Sequence, residues 1–542
     1  MSLESKSLLD LPNELITHIL AFLDEPSLLR SKLICRSIST LIEASILLKY
    51  NIELYASNLI DNPDSSLAKS VRLRLLHAHR RAWTQGFCAT TTEIPLAIGG
   101  VGSPLPLRAW ELTGSTFGLS GDHNIRFVQL PSGVRGIEQF EWGFEGFNFR
   151  IRDFATDRSQ DLLVMIERET LILGSQDFIH IHLRSLSTGL RHPHAQEAII
   201  THRICVLDAD PDWYAVHIYG SRIAVMVQAV EASESHPSLG YWISELGVWD
   251  WNSGVSETVL TGPIRAFSFL TEHLMLLGMC WLHSVDPQEE SDIITLDVVD
   301  INKMPLFLKV PETLSTSSTR WSRDWWSFQL PSLAKQANAL RPCLSIRSEY
   351  SPASFAYCKD VPFTTSSADR LYVVTIANIL PYQDLVLFVR LSSILSLVGH
   401  SPIAPHTFPW AEWGPLHTRM VPGVFSDTWF CYVHGLKVVV PAKDPSIVEV
   451  WDFNQHAIRR NSHTPQRSGG NFQTKYITYP VNCNHMVLGF RLFEHDVITS
   501  LPYSLSTFRN PDPSHESQDF MISGDSLIVV LDDDDKLIVA SF

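Results

Sequence analysis

Two hydrophobic patterns divide the chain. Apolar residues recur at helical spacing near the N-terminus, whereas after about Phe87 they form short runs between Gly, Pro, Ser, Asp and Asn clusters. Helical spacing predicts amphipathic helices, and short apolar runs between turn-forming residues predict strands. The expected domains are a helical module at 1–50, a helical connector at 51–86 and a large all-β domain at 87–542.

Start signals mark three short helices in the N-terminal module. Asp10 can cap a helix that begins at Leu11, with Pro12 in its first turn, where a missing N–H costs little. Residues 24–26 repeat this signal for a second helix, and a third is predicted to end near Ser45. A module this small cannot bury a full core alone. We therefore expect an exposed apolar face that binds a partner; the alternative is a cap packed on the β-domain.

Residues 65–85 predict one longer helix. Its apolar side is expected to carry Leu67, Val71, Leu75, Ala78 and Ala82. Its basic residues, which lie mostly elsewhere, are Lys69, Arg72, Arg80 and Arg81. A basic amphipathic helix can bind membranes or nucleic acid. For a single helix in an acidic chain we favour a solvated basic face on a connector that fixes the angle between the helical module and the β-domain.

The strand-like runs repeat one element, in which a hydrophobic run ends near Trp-Asp before a polar turn. The clearest instance is 247–254, the second is 447–454, and 180–189 has the same shape without the aromatic residue. Such strands are typical of propeller blades, and about 450 residues at roughly 40–60 per blade allow seven or eight blades. The predicted fold class is α+β multidomain with a β-propeller; a pair of β-sandwiches is the main alternative.

Composition limits the possible partners. The 542 residues are 45% hydrophobic and 18% charged, which is typical of globular proteins. The net charge of −16 disfavours nucleic acid, whose binding requires a basic face. A basic partner, or a basic segment of one, is more plausible.

Cysteine spacing and the N-terminus indicate an intracellular protein. The eight cysteines include no CxxC pair, so we expect reduced, mostly buried thiols. The N-terminus lacks the basic and apolar regions of a signal peptide. No apolar run approaches the roughly 20 residues of a membrane span. We expect a cytoplasmic or nuclear protein that does not bind a membrane.

The apolar positions of the N-terminal module follow one consensus. Leu11-Pro12-x-Glu14, Ile19-Leu20, Leu23, Leu28-Leu29 and Leu33-Ile34-Cys35-Arg36 resemble, in order and spacing, the LPxE, IL, L, LL and CR positions of the F-box family. This resemblance implies docking onto a Skp-type adaptor and, through it, onto a cullin-RING ubiquitin ligase. The implied adaptor-binding residues are Leu11, Pro12, Glu14, Ile19, Leu23, Leu28, Leu29, Cys35 and Arg36. The family often has Trp soon after the CR pair; Ile38 stands nearby here and offers less apolar area.

Weaker motifs extend the resemblance beyond this module. They are 54–56, 110–114, 160–164 and 248–251. Together they are similar to segments of fungal F-box proteins with degenerate β-propeller bodies. The resemblance implies nothing about the target.

Motifs for chemistry are missing from the sequence. It contains no GxSxG, HExxH or GxxxxGK[ST] pattern, and we expect no catalytic residue, cofactor or metal. The glycines at 99–102 predict a turn, and His192-Pro193-His194 would need further ligands to bind metal. The Asp532–Asp535 run lacks calcium-loop spacing and predicts an exposed hairpin tip.

Two tryptophans are candidate target-binding residues. Trp410 and Trp413 lie in a Pro-rich segment predicted to be a loop, where aromatic side chains are often exposed. The alternative for them, and for Trp325 and Trp326, is packing between blades.

The predicted function is that of a non-catalytic substrate-recognition subunit of a Skp–cullin–F-box ubiquitin ligase, in which the β-domain binds the target. One alternative is an adaptor-bound or scaffold propeller outside the ligase. A propeller-fold hydrolase is a third, less favoured hypothesis.

Overall fold

The computed structural model describes most of the chain. The described residues are 8–86, 90–95, 109–170, 177–205, 213–231, 241–283, 291–310, 325–334, 343–349, 361–380, 383–400, 405–423, 432–461, 474–484, 486–487, 490–513, 519–531 and 536–542. The predicted turn at 99–102 and the predicted hairpin tip Asp532–Asp535 lie outside them.

Eight α-helices occur within these ranges. They are α1 (Asn13–Leu20), α2 (Glu25–Ser31), α3 (Arg36–Ala44), α4 (Ile46–Ala56), α5 (Lys69–Gln85), α6 (Leu391–His400), α7 (Trp410–His417) and α8 (Gln455–Asn461). Short 3₁₀ helices span Leu8–Asp10, Arg158–Gln160 and Ile301–Lys303. The sequence did not predict α4, or the three helices inside the β-domain.

The first helix begins later than the sequence predicted. Pro12 occupies the N-cap position of α1 in an extended conformation, and Asp10 belongs to the preceding 3₁₀ turn. Asp24 stands at the N-cap of α2, as predicted.

The β-domain is a propeller. Its described strands form seven sheets of four or five strands, named blades 1–7 in chain order of their innermost strands. Blade 1 contains Ala109–Thr113, Thr116–Ser120, Ile125–Gln129 and Phe140–Phe144; blade 2 contains Asp153–Asp157, Leu162–Thr170, Asp177–Ser185 and Ile199–Arg203; blade 3 contains Trp213–Tyr219, Arg222–Glu231, Tyr241–Asp250, Val255–Gly262 and Phe307–Lys309; blade 4 contains Ile264–Phe269, Leu274–His283, Ser291–Asp300, Trp325–Gln329 and His406–Phe408.

The remaining blades complete the ring. Blade 5 contains Cys343–Arg347, Leu371–Leu380, Gln383–Arg390 and Thr418–Gly423; blade 6 contains Val433–His434, Lys437–Pro441, Ile447–Asp452, Tyr503–Arg509 and Thr474–Ile477; blade 7 contains Asp519–Ile522, Ser526–Leu531, Lys536–Ser541 and Thr90–Pro95. Two-stranded pairs join Leu59–Asp61 to Phe363–Thr365, Val481–Asn482 to Ile498–Thr499, and Met486–Val487 to Phe490–Arg491.

Blade 7 joins the two ends of the β-domain. Its outer strand, Thr90–Pro95, pairs antiparallel with Lys536–Ser541, so that Thr90 lies opposite Ser541. This pairing closes the ring with backbone hydrogen bonds, and it satisfies an edge that would otherwise be open. The fold confirms the prediction of a propeller, with seven blades; the alternative of paired β-sandwiches is wrong.

The recurring Trp-Asp element has one structural position. The predicted instances at 247–254, 447–454 and 180–189 each contain the end of the third strand of a blade. Trp249 is buried between blades 2 and 3. The polar turn predicted after Asp157 also forms, with the Asp157 carboxylate accepting the backbone N–H of Ser159 at 2.9 Å. A local repeat therefore located corresponding strands correctly despite its degenerate sequence.

Insertions in blade 5 pack against blade 4. After the third strand, α6 leads to the strand His406–Phe408, which pairs parallel with Trp325–Gln329 of blade 4, and α7 returns the chain to blade 5. The resulting apolar core includes Phe328, Phe408 and Trp413.

Candidate adaptor-docking face and its attachment to the propeller

The N-terminal module keeps a small core of its own. Six apolar side chains from α1 to α4 are buried together: Ile16, Leu20, Leu28, Ile38, Ile42 and Leu48. Removing these side chains from water holds the short helices together.

Most of the exposed large apolar side chains of the described chain belong to this same module. They are Leu8, Leu9, Leu11, Leu15, Ile19, Phe22, Leu23, Leu29, Leu33, Ile34, Ile46 and Leu47. Isolated exposed apolar residues are common, but such a concentration in forty residues is typical of a binding surface. We name the surface formed by the residues from Leu11 to Ile34 in this set the docking face.

The predicted adaptor-binding residues separate into two groups. Leu11, Pro12, Glu14, Ile19, Leu23, Leu29 and Arg36 are exposed, and Cys35 is half-buried. Leu28 is only 1% exposed and lies in the module core. Its predicted direct contact with an adaptor therefore disagrees with its position, because the side chain is already covered by its own module. For the other residues, adaptor contact stays a prediction.

Ile38 also has a different role from the one expected. On sequence alone we compared it with the Trp that the family often has soon after the CR pair, whereas its side chain is buried beside Ile42 in the module core. Phe22, at 79% exposure, and Leu33, at 86%, present more apolar surface than any predicted contact. The sequence did not predict Phe22 as a contact because its position is not part of the consensus. Its place directly after the apolar run of α1 was the feature that could have indicated an exposed apolar residue.

Buried polar groups hold the connector together. Arg72 donates to the Asp61 carboxylate at 2.7 Å and to the Asn62 carbonyl at 2.6 Å. The Tyr50 hydroxyl donates to the same carboxylate at 2.9 Å. Burial, reinforced by Asp61, raises the pKa of Tyr50. These bonds hold α4, α5 and the segment between them as one unit.

The buried side of α5 differs from the predicted one. The sequence assigned its apolar side to residues such as Ala78, which is exposed, while Arg72 and His79 are buried. The buried positions Arg72, Leu76, His79 and Trp83 still recur at helical spacing. The prediction failed because two polar residues on this side find partners elsewhere in the fold, which a pattern of apolar residues cannot reveal.

Strand pairing attaches the connector to blade 5. Leu59–Asp61 pairs antiparallel with Phe363–Thr365, which lies between the first and second strands of that blade. The Asn62 amide donates to the Val361 carbonyl at 2.7 Å.

The second half of α5 contacts blades 6 and 7. His79 Nε2 lies 3.1 Å from an Asp525 carboxylate oxygen, and Arg135 of blade 1 donates to the other oxygen. Burial alone would raise the pKa of Asp525, but Arg135 and His79 hold it well below its usual range. Trp83 packs between Phe508 of blade 6 and Phe542 beside blade 7, with ring centroids 5.9 and 4.4 Å away.

A salt-bridge cluster links the N-terminal module to blade 6. Arg460, in α8, donates to both oxygens of Glu53 in α4, at 2.9 and 2.7 Å, and Arg80 of α5 binds the same carboxylate. Together with the contacts to blades 5 and 7, this cluster supports the expected role of the connector, which is to fix the angle between the module and the propeller.

The candidate target-binding tryptophans are not in a loop. Both lie in α7, where Trp413 is 1% exposed and donates its indole N–H to the Gln329 carbonyl at 2.9 Å. Trp410 is half-buried and packs against Trp413. Trp325 and Trp326 are buried in blade 4. The position of Trp413 is therefore explained by packing between blades, the alternative that the sequence left open.

Other sequence candidates are structural. His192 Nε2 bonds the Gln160 carbonyl at 2.9 Å, and its Nδ1 accepts the His194 backbone N–H. In the part of the chain that the structure describes, no group of three or more His, Cys, Asp or Glu residues is placed to hold a metal ion. Of the five cysteines in the described residues, only Cys280 and Cys483 are buried, so the expectation of mostly buried thiols is wrong for these five.

A search for membrane-spanning segments found none among the described helices with the length and apolar character to cross a bilayer.

Comparisons with known proteins agree with both parts of the chain. The F-box-like family model matches residues 8–52, which include the docking face. Residues 8–52 form an F-box-like domain. F-box domains generally bind Skp-type adaptors of cullin ligases, and a propeller is a common protein-binding domain. The combination fits a non-catalytic adaptor.

Solved structures similar to this chain score low. Hsv2 of Kluyveromyces marxianus has a TM-score of 0.33 at 10% identity, covering 78% of this chain and 89% of its own. The WD40 domain of SCAP from fission yeast has a TM-score of 0.30 at 10% identity, covering 81% and 85%. At these scores the likeness carries no functional argument. No curated protein matches the chain.

Proposed function

We propose that this protein is the substrate-recognition subunit of a Skp–cullin–F-box ubiquitin ligase, present in the cytoplasm or nucleus. The F-box-like domain docks a Skp-type adaptor, and the propeller binds a target protein. The observation that carries the proposal is the exposed docking face on a domain whose other side is attached to the propeller.

The attachment suits this function. A ligase subunit acts by holding its target close to the site of ubiquitin transfer, which raises the effective concentration of the reacting groups. A fixed angle between adaptor and propeller keeps the target within a narrow region of space. The buried contacts of His79 with Asp525 and of Asn62 with the Val361 carbonyl would supply this fixed angle.

The propeller face opposite the connector is the proposed target-binding face. The connector contacts turns between the first and second strands of blades 5, 6 and 7, including Asn58 at Asp369 and His79 at Gly524. All of these turns lie on one face of the ring. Among the described residues, the other face of the ring makes none of these contacts with the connector. The net charge of −16 favours a basic segment as the part of the target that binds.

A pull-down with a purified Skp-type adaptor tests the proposal. Wild-type protein is expected to retain the adaptor. The double variant Leu11→Ala, Pro12→Ala is expected to lose at least about tenfold in affinity. Leu33→Asp places a charge on the docking face without touching the buried core, and it is expected to abolish binding.

Leu416→Ala is the matched control, because Leu416 is an exposed leucine on α7 of the propeller. It should bind the adaptor as the wild type does. Failure of the wild type to retain the adaptor, or full binding by Leu33→Asp, would contradict the proposal. Recovery of a cullin together with the adaptor separates a ligase subunit from an adaptor-bound protein outside the ligase.

A further inference from the structure

A cleft lies in the seam between the connector and blade 6. It encloses about 710 Å³ of space, part of which is open to solvent. One wall comes from α4, its C-terminal end and α5, and the other from blade 6 and α8. Its central lining residues are Ser57, Trp83, Lys437, Asp452, Tyr476 and Ser506. A second cleft shares Ser57, Lys437 and Asp452 with the first and continues toward blades 5 and 7.

Lys437 extends into this cleft without an ion pair among the described residues. Its ammonium group lies 4.6 Å from the centroid of the Trp83 ring, a cation–π distance. Asp452 lies directly opposite on the adjacent strand, and one of its carboxylate oxygens accepts the backbone N–H of Asn454 at 2.9 Å. Burial lowers the pKa of Lys437, with Asp452 and Asp525 opposing this shift. A bound anion would compensate the desolvated ammonium charge.

A second observation points to the same cleft. The Ser57 hydroxyl oxygen, at the end of α4, is buried and has no hydrogen-bond partner in the described structure. A buried hydroxyl that lacks a hydrogen-bond partner destabilises the folded protein. A ligand that accepts a hydrogen bond from Ser57 would remove this destabilisation.

Charge and hydrogen-bonding groups define the class of ligand. His79, Arg80 and Lys437 line the cleft together with one carboxylate, Asp452. Arg80 already binds Glu53 and His79 lies against Asp525, so Lys437 is the cation that would meet the anionic group of a ligand. Hydroxyl groups of Thr474, Ser504 and Ser506 line the blade 6 side. Lysine and hydroxyl donors suit phosphate oxygens, and the Trp83 and Tyr476 rings offer apolar surface to the rest of a ligand.

We propose that this cleft binds a small phosphate-bearing molecule, with its phosphate group at Lys437 and Ser57. Such a ligand would contact connector and propeller at once. Because it would bind only the docked arrangement, it would stabilise the attachment of the F-box-like domain to the propeller by mass action. This proposal does not depend on adaptor binding.

Thermal unfolding and calorimetric titration of the full chain test the site. The probes are glucose 6-phosphate, inorganic phosphate, glucose, and sodium chloride at matched ionic strength. Glucose 6-phosphate is expected to raise the unfolding temperature above the chloride reference, whereas glucose does not. Equal binding of inorganic phosphate would support the site and assign it to free phosphate; weaker binding would support it and assign it to phosphate esters.

Two variants locate the binding. Lys437→Met and Ser57→Ala are each expected to weaken phosphate binding at least about tenfold. Ser57→Ala removes a hydroxyl that is unpaired without ligand, so it should leave the unliganded protein stable and carries the test if Lys437→Met fails to fold. Lys475→Gln, at an exposed lysine on the nearby strand of blade 6, is the control and should bind as the wild type. The proposal is overturned if neither phosphate probe stabilises the protein beyond chloride, or if Ser57→Ala binds as the wild type.

Discussion

The F-box-like domain and the propeller use apolar residues in opposite ways. In the propeller, apolar side chains from neighbouring blades are buried against one another, as in the cluster around Phe328 and Trp413. In the F-box-like domain, a core of six buried residues supports a larger set of exposed ones. The difference separates stability from association: the propeller buries its apolar surface on folding, whereas the F-box-like domain keeps part of its surface available for a partner.

The largest predicted effect lies in the propeller. Trp413→Ala removes a buried side chain that packs on Phe328 and donates to the Gln329 carbonyl. We expect the free energy of unfolding to fall by about 3–5 kcal/mol, measured by urea denaturation. Trp410→Ala, at a half-buried position in the same helix, should cost clearly less. If the two variants lose the same free energy of unfolding, the burial of Trp413 does not contribute more than that of Trp410, and the packing role of Trp413 is wrong.

The junction between the two regions gives the next largest effect. Asp525→Asn leaves the Arg135 charge buried without its partner, so we expect a loss of about 3 kcal/mol at neutral pH. The pKa of Asp525 is depressed in the folded state, so its contribution is present above the ordinary value of 3.8 and is lost as the pH falls further. The difference between wild type and variant, measured by denaturation, should shrink below about pH 4. A difference that grows on acidification would refute this account.

A pair of adjacent leucines tests the contrast inside the F-box-like domain. Leu28 is 1% exposed and Leu29 is 38% exposed. Leu28→Ala should lower stability by about 2–3 kcal/mol, and Leu29→Ala by less than about 0.5 kcal/mol. Adaptor affinity, measured on the folded protein by titration, should fall for Leu29→Ala. Equal stability of the two variants would mean that this domain lacks the described core.

A buried carboxyl in blade 2 predicts a pH dependence of the propeller alone. Burial raises the pKa of Asp153 to about 7, although the Phe154 backbone N–H and Arg347 oppose the shift. The folded state therefore holds this proton more tightly than the unfolded chain, and Asp153 reduces stability as the pH rises from about 4 to about 7. Asp153→Asn should match the wild type near pH 4 and become increasingly more stable than the wild type as the pH rises to about 7, measured as unfolding temperature against pH. Equal stability above pH 7 would be inconsistent with this shift.

The smallest effect is expected at the partly exposed edge of the junction. Arg460→Gln removes the two-bond contact with Glu53, but Arg80 still binds this carboxylate. Because exposed ion pairs contribute little, we expect a loss of about 0.5–1 kcal/mol, which should diminish in high salt. Lys475→Gln is again the control. A loss as large as that of Asp525→Asn would show that the outer bridge, rather than the buried one, attaches the domain.

The sequence was most informative where local pattern determines structure. The spacing of Leu11, Glu14 and Ile19 identified the F-box-like domain because its consensus is short and contiguous. The Trp-Asp repeats located the third strands of blades because strand pattern and turn chemistry are local. Blade number was predicted only as seven or eight, since degenerate repeats do not mark every blade.

The incorrect predictions share a physical cause. Arg72 was predicted to lie on a solvated basic face, yet it is buried, as is the neighbouring His79, and both have partners that compensate the loss of hydration. The His79 carbonyl partner, Gly524, lies 445 residues away in the sequence. Trp413 was assigned to a loop because of its Pro-rich surroundings, but a neighbouring blade provides its apolar environment.

The sequence by itself determined the identity of the docking domain, the β-character of the body and the positions of several third strands of blades, because these depend on residue type and short-range spacing. The tertiary structure decided which of those residues remain exposed to a binding partner. It buried Leu28, Ile38 and Trp413 and left Phe22 and Leu33 exposed. It also brought Lys437 and Ser57 to one cleft. Burial and electrostatic compensation depend on partners distant in sequence, and only the closed ring and its attached connector bring those partners together.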